Sequence, residues 1–207
     1  MSMELVKRSR VIAALLGLIV FLPGFAQTDS PNDFVAEAVD LLATQLDGRR
    51  ESLAEDKDSL YAVIDEILLP RFDRRFAASQ VLARHWRSAS EDQRDRFVDA
   101  FYTTLLHRYA EGVLEFDHEG VEILPFRGDA SKRLVGVKTI VRLDDGTKVP
   151  VNYTLVSQDV GWRMFDVTIE GVSYVRNFRA EFDSEIRATS LEQVIERLEK
   201  EATDSGE

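Results

Sequence analysis

The stretch from Gly161 to Phe182, GWRMFDVTIEGVSYVRNFRAEF, constrains the fold more than any other. It opens on a turn glycine and runs with period two through Phe165, Val167 and Ile169. It breaks at Gly171 and resumes with helical spacing at Val175, Phe178 and Phe182. Period two is a strand with one apolar face; spacings of three and four are a helix with an apolar stripe. A strand joined this tightly to a helix buries both apolar surfaces in a shared core, so the chain must pack helices on a sheet.

The residues before it supply the rest of that sheet. Leu134 to Leu143 alternates Val135, Val137, Thr139, Val141 and Leu143 against Gly136, Lys138, Ile140 and Arg142. Asp144-Asp145-Gly146 is a hairpin turn signal. Val149 to Ser157 then alternates Val149, Val151, Tyr153 and Leu155, with Pro150 marking a strand start or an edge. Val121 to Phe126 adds a short run, for about four strands in an antiparallel meander. From Arg163 to Ile169 the same alternation sets Phe165, Val167 and Ile169 against Met164, Asp166 and Thr168.

Helices flank the sheet. Asp33 is placed to cap one that runs to Leu46, and Arg49 to Lys57 reads as a charged connector. A second helix starts near Asp58, carries Leu60, Val63, Ile64, Ile67 and Leu68, and stops at Pro70. A third spans Arg71 to Leu82; its arginines, with Arg84 and Arg87, form a local basic face that is a candidate docking surface. Ser90 and Gln93 make a capping box for the longest helix, which reaches about Phe116. It carries two apolar rows, Phe97–Phe101–Leu105 and Val98–Tyr102–Leu106–Tyr109–Val113, so it is buried on more than one side. Two helices close the chain, the second opened by Ser190 and Gln193. Helices, then strands, then helices is an α+β fold.

Val137, Val141, Val151, Tyr153, Leu155, Phe165, Val167 and Ile169 are expected on one sheet surface, with Phe101, Leu105 and Tyr109 of the long helix opposite. Periodicity does not separate a filled core from an open cavity, and on residues alone a filled core is the ordinary reading.

Catalytic constellations are sparse. Of the three histidines His85, His107 and His118, His107 has a carboxylate at i+4, Glu111, but two ligands do not make a metal site. No G-x-S-x-G nucleophile elbow, GxGxxG or P-loop occurs. Ser173 sits where a helix N-cap is wanted. Asp166, by parity, points away from the apolar face and is expected to pair with a cation such as Arg142 or Arg163. These readings give no catalytic residue, no metal and no cofactor.

Residues 1–26 read as a cleaved secretory signal: basic Lys7, Arg8 and Arg10, an apolar run from Val11 to Leu22, and Gly24-Phe25-Ala26 as the cleavage site. Residues 27–207 then form a single domain. The absence of cysteine excludes a lipoprotein anchor and disulfides. The chain carries a net charge of −11, and its leader is net basic, so the remainder is more acidic still. Such a surface is repelled by nucleic acid and by anionic membranes.

Trp162, Asp166-Val167, Glu170-Gly171-Val172-Ser173, Asn177, Arg179 and Phe182 resemble the C-terminal signature of the MlaC (toluene-tolerance, Ttg2D-like) family of periplasmic phospholipid-binding proteins. Pro70, Phe72, Phe76, Val81-Leu82, Trp86, Gln93, Phe97, Phe101, Leu105-Leu106 and Tyr109 follow the family's helical pattern. The resemblance covers nearly all of residues 27–207 and departs at Ala83, where the family often has glycine. It implies a periplasmic shuttle that carries phospholipid between an outer-membrane lipoprotein–porin complex and an inner-membrane ABC transporter with an MCE-domain protein. It also implies an apolar cavity between sheet and helices that holds the acyl tails as cargo. Two other readings predict different things: a cupped α+β enzyme using Asp166 or Tyr109, and a ligand-free adaptor with a solid core.

Overall fold

A computed structural model describes residues 30–115, 118–143 and 145–204. The proposed leader, Asp144 of the hairpin turn and the last three residues lie outside the described residues. The described chain is α+β, with helices before and after a five-stranded sheet in which each strand pairs antiparallel with the next in chain order.

The first helix, α1 (Pro31–Leu46), starts two residues before the expected cap. Ser30 is the N-cap and accepts from the Asp33 N–H, while Pro31 takes the first helical position. A proline there lacks only an N–H that the helix would not use, so it starts the helix instead of loosening it. The charged connector contains a short helix, α2 (Arg50–Glu55), pinned by buried Leu53. Asp56 caps α3 (Lys57–Leu68), whose buried stripe is Leu60, Val63, Ile64 and Ile67.

The next helix, α4 (Arg74–Leu82), begins later than its apolar pattern implies, with Asp73 as its cap. The preceding residues run beside the sheet: Asp73 N–H donates to the Met164 carbonyl and Met164 N–H to the Arg71 carbonyl, each at 2.8 Å. After α4 comes α5 (Arg84–Ser88), across Ala83 at φ +49°. The capping box of α6 (Glu91–Leu114) is complete: Ser90 Oγ accepts from Gln93 N–H and Gln93 Oε1 from Ser90 N–H.

The strands are β1 (Val121–Ile123), β2 (Leu134–Arg142), β3 (Lys148–Gln158), β4 (Gly161–Ile169) and β5 (Val172–Ser173). β1 is shorter than expected, and β5 is an extra strand of two residues. Glu170 and Gly171, both at positive φ, form the tight turn that folds β5 back on β4. Two successive positive-φ residues give the twist that suits a two-residue hairpin. Pro150 lies near the start of β3, an interior strand, opposite Ile140.

The register of β3 on β4 slips at one place: Thr154 faces Asp166, while Leu155 faces Met164. Phe165 is the extra residue, and such a bulge bends the strand and re-aims its side chains. Simple alternation is therefore corrected here, because Met164 is buried beside Leu155, Val137, Trp162 and Val35 of α1.

Beyond β5, α7 (Tyr174–Ala188) runs antiparallel to α6, and α8 (Leu191–Asp204) lies along α6's other flank. Phe97 and Phe101 of α6 interleave with Phe178 and Phe182 of α7, at ring-centre distances of 5.1 to 5.9 Å with several edge-to-face pairs. Such edge-on packing adds about 0.5–1.5 kcal/mol per pair beyond area burial. Arg96 ties α6 to α8 through Glu192 and Glu199.

Candidate ligand cavity

α6 is longer than the helix packed against it. Going up α6, Phe97 meets Phe182, Phe101 meets Phe178, and Tyr109 meets Tyr174 at 5.8 Å. Tyr174 is the first residue of α7, so no further turn of that helix exists to cover the end of α6. A cavity of about 340 Å³ occupies the uncovered space. Its walls are Ile64 and Leu68 of α3, Ala77 and Val81 of α4, one face of α6 that includes Phe101, Leu105, Leu106, Tyr109 and Val113, β4, and the first turns of α7. That volume falls in the range of about 300–1,000 Å³ typical of ligand pockets.

Asp166 fixes where α7 starts. Its Oδ2 accepts from Ser173 Oγ at 2.7 Å and its Oδ1 from the Val175 N–H at 3.0 Å, while Ser173 Oγ accepts from the Arg176 N–H. The expected pairing with Arg142 or Arg163 is thus corrected: the carboxylate satisfies a helix terminus, whose free N–H groups and dipole favour an anion. Ser173 is a helix cap, and both of its roles are structural.

The structure brings Phe101, Leu105, Tyr109, Phe165, Val167 and Ile169 together on this cavity. It does not bring Val137, Val141, Val151, Tyr153 or Leu155 to it. Val137, Leu155 and Tyr153 pack with Phe34, Val35 and Val39 of α1 and with Trp162 and Met164. Val151 is buried and Val141 half-buried on the same strands. The physical reason is that α1 covers this part of the sheet directly, and the bulge at Phe165 turns the end of β4 towards α4, α6 and α7 instead. Sequence reasoning missed Ile64, Leu68, Val113 and Tyr174 as wall residues. The wide stripe of α3 and the second apolar row of α6 were the available signals.

Among the described residues, no Lys, Arg or His lines the cavity. Tyr102, on the wall, donates its hydroxyl to Asp65 Oδ1 at 2.6 Å, and burial, then that bond, pushes its pKa well up. Elsewhere, the His107 ring lies tilted against Tyr61 at a ring-centre distance of 4.5 Å, Glu111 pairs with Lys57, and His85 contacts Asp183 at 2.8 Å. Among the described residues there is no cluster of three or more potential metal ligands, and no helix is long and apolar enough to cross a membrane. Most arginines of the expected basic face are paired with carboxylates: Arg71 with Glu37, Arg74 with Asp99, Arg75 with Glu91 and Asp95, and Arg84 with Asp183.

An α+β fold that leaves an apolar cavity open between sheet and helices has the geometry of a binder of apolar ligands. The sequence profile of the MlaC protein family matches residues 36–200, and the chain belongs to that family. It is 27% identical over 172 residues to the toluene tolerance protein ttg2D of Pseudomonas putida, covering 80% of this chain and 79% of that one. It is 19% identical over 192 residues to the intermembrane phospholipid transport system binding protein MlaC of Haemophilus influenzae, covering 91% and 89%. The fold is shared with a phospholipid-binding protein from Ralstonia solanacearum solved in complex with a phospholipid. The TM-score is 0.76 at 22% identity, covering 86% of this chain and 99% of that one.

Proposed function

We propose that this protein binds phospholipid and carries it across the periplasm, the acyl tails held in the cavity beside the C-terminal half of α6. The observation that carries this reading is a cavity walled almost wholly by apolar side chains, where the carboxylate of Asp166 is already engaged by a helix terminus. The Ralstonia neighbour with a bound phospholipid and the phospholipid-transport relative from Haemophilus support it.

The physics suits a carrier. Each buried CH₂ is worth about 0.8 kcal/mol against water, so long tails need an escort through an aqueous compartment. Against a bilayer the same exchange is nearly neutral, because both environments are apolar. A preformed apolar cavity then suffices without catalytic groups, and on this reading the protein is not an enzyme and its lipid is cargo rather than cofactor. The leader at residues 1–26 is proposed to direct it to the periplasm. The donor and acceptor are proposed to be an outer-membrane lipoprotein–porin complex and an inner-membrane ABC transporter with its MCE-domain protein. The acidic surface supports docking on proteins over loose adhesion to anionic lipid.

Val167→Glu tests the reading by setting a carboxylate on the cavity wall. Native mass spectrometry of gently purified protein is expected to show wild type carrying diacyl phospholipid and the variant bare. A variant that stays fully loaded would place the tails elsewhere.

A further inference from the structure

Polar groups on the cavity wall are few, and most already have partners. The Tyr102 hydroxyl is given to Asp65, and both Asp166 oxygens accept from the start of α7. Two remain, the phenols of Tyr109 and Tyr174, for which no protein hydrogen-bond partner occurs among the described residues. They lie together: the rings meet edge to face at 5.8 Å, one from the last turns of α6 and one from the first residue of α7. Tyr109, at 43% exposure, is the one exposed residue in the described lining, so it marks where the cavity opens. Tyr174 beside it is half-buried. A pair of neutral donors at the mouth of an otherwise apolar cavity has a definite chemical complement, an anionic oxygen at the polar end of a ligand whose apolar part fills the interior.

We infer that Tyr109 and Tyr174 form a subsite at the cavity mouth whose two hydroxyls donate to the phosphodiester oxygens of a bound diacyl lipid. This rests on the phospholipid-binding reading above and adds to it the contact that recognises the polar end. Partial burial and the neighbouring Tyr109 both raise the Tyr174 pKa, which keeps the phenol a protonated donor at neutral pH. Because no cation takes part, the subsite reads the phosphate common to these lipids and leaves the rest of the head group to solvent.

The test uses delipidated full-length chain without its leader, as wild type, the Tyr109→Phe and Tyr174→Phe single variants, and the double variant. Calorimetric titrations compare dioctanoyl phosphatidylcholine with dioctanoylglycerol, which has the same tails and no phosphate. Inorganic phosphate serves as the third probe. Phenylalanine keeps both rings, so thermal unfolding is expected to stay close to wild type. The expected result is a roughly tenfold weaker phosphatidylcholine affinity in the double variant, about 1.4 kcal/mol. Intermediate losses are expected in the singles, dioctanoylglycerol affinity should hold within about twofold, and free phosphate should not bind measurably. Equal losses for both lipids, or no loss for either, overturns the subsite while leaving the carrier reading intact. Tight binding of inorganic phosphate alone also overturns it. A wild-type protein that takes up neither lipid overturns the carrier reading and the subsite together.

Discussion

The two halves of α6 are built from similar apolar side chains and end in opposite states. In the N-terminal half, Phe97 and Phe101 interlock with Phe178 and Phe182; Phe97 is fully buried and Phe182 only 2% exposed, and Phe101 and Phe178 are where this seam borders the cavity. In the C-terminal half, Leu105, Leu106, Tyr109 and Val113 face a void. The difference does not lie in hydrophobicity. It lies in where α7 begins, because Asp166 and Ser173 fix its first turn opposite Tyr109 and no helix continues beyond. A cavity is made here by ending a helix early, and the anchor that ends it is a pair of hydrogen bonds.

Truncating one side chain in each half separates the two states. Phe182→Ala removes a ring from the closed seam and is expected to cost about 3–5 kcal/mol in denaturant unfolding. Leu105→Ala, beside existing empty space, is expected to cost only about 1–2 kcal/mol, while reducing the lipid recovered with the protein. Equal costs would mean that the upper half is as well packed as the lower. The anchor itself comes next. Asp166→Ala leaves the Val175 N–H and the Ser173 hydroxyl without their acceptor, and a loss of about 1–3 kcal/mol is expected. If the start of α7 defines the cavity, lipid retention should fall with it, whereas unchanged retention would make Asp166 a stabilising group only.

A smaller effect, with the opposite sign, belongs to the corner between α4 and α5. Ala83 holds φ +49° and ψ −109°, a region that L side chains avoid and glycine enters freely. Ala83→Gly is expected to raise stability by about 1 kcal/mol, read as an increase in melting temperature, with lipid loading unchanged. A loss of stability would show that the corner relaxes in solution.

Local chemistry made much of this fold readable from the chain. Ser90 with Gln93, Ser173 before Val175, and the stripes of α3 and α7 carry their caps and spacing in neighbouring residues, so the helices stand close to where they were expected. The meander of β2 to β4 was equally readable, because alternation and turn residues are local too. Three features were not, and each depends on partners distant in sequence. The bulge at Phe165 is a matter of register against β3, so parity put Met164 on the wrong side and let Val137, Val151 and Leu155 look like cavity wall. α1 covers that face, with Val35 closing over Val137, and nothing in the period of β2 says which helix will arrive. Whether Tyr109 faces side chains or space depends on where α7 starts. The spacing of Phe178 and Phe182 shows that α7 packs, without showing how far up α6 it reaches.

On the proposed function, lipid tails occupy the space beside the C-terminal half of α6 and not the closely packed face beneath α1. Photocrosslinking with a phosphatidylcholine that carries a diazirine in one acyl chain tests it directly, with the modified residues read by peptide mass spectrometry. The account predicts modification at Leu105, Leu106, Val113, Val167 and Ile169, and none at Val137, Leu155 or Val35. Labelling concentrated on Val137 and Leu155, with the α6 positions untouched, would contradict it.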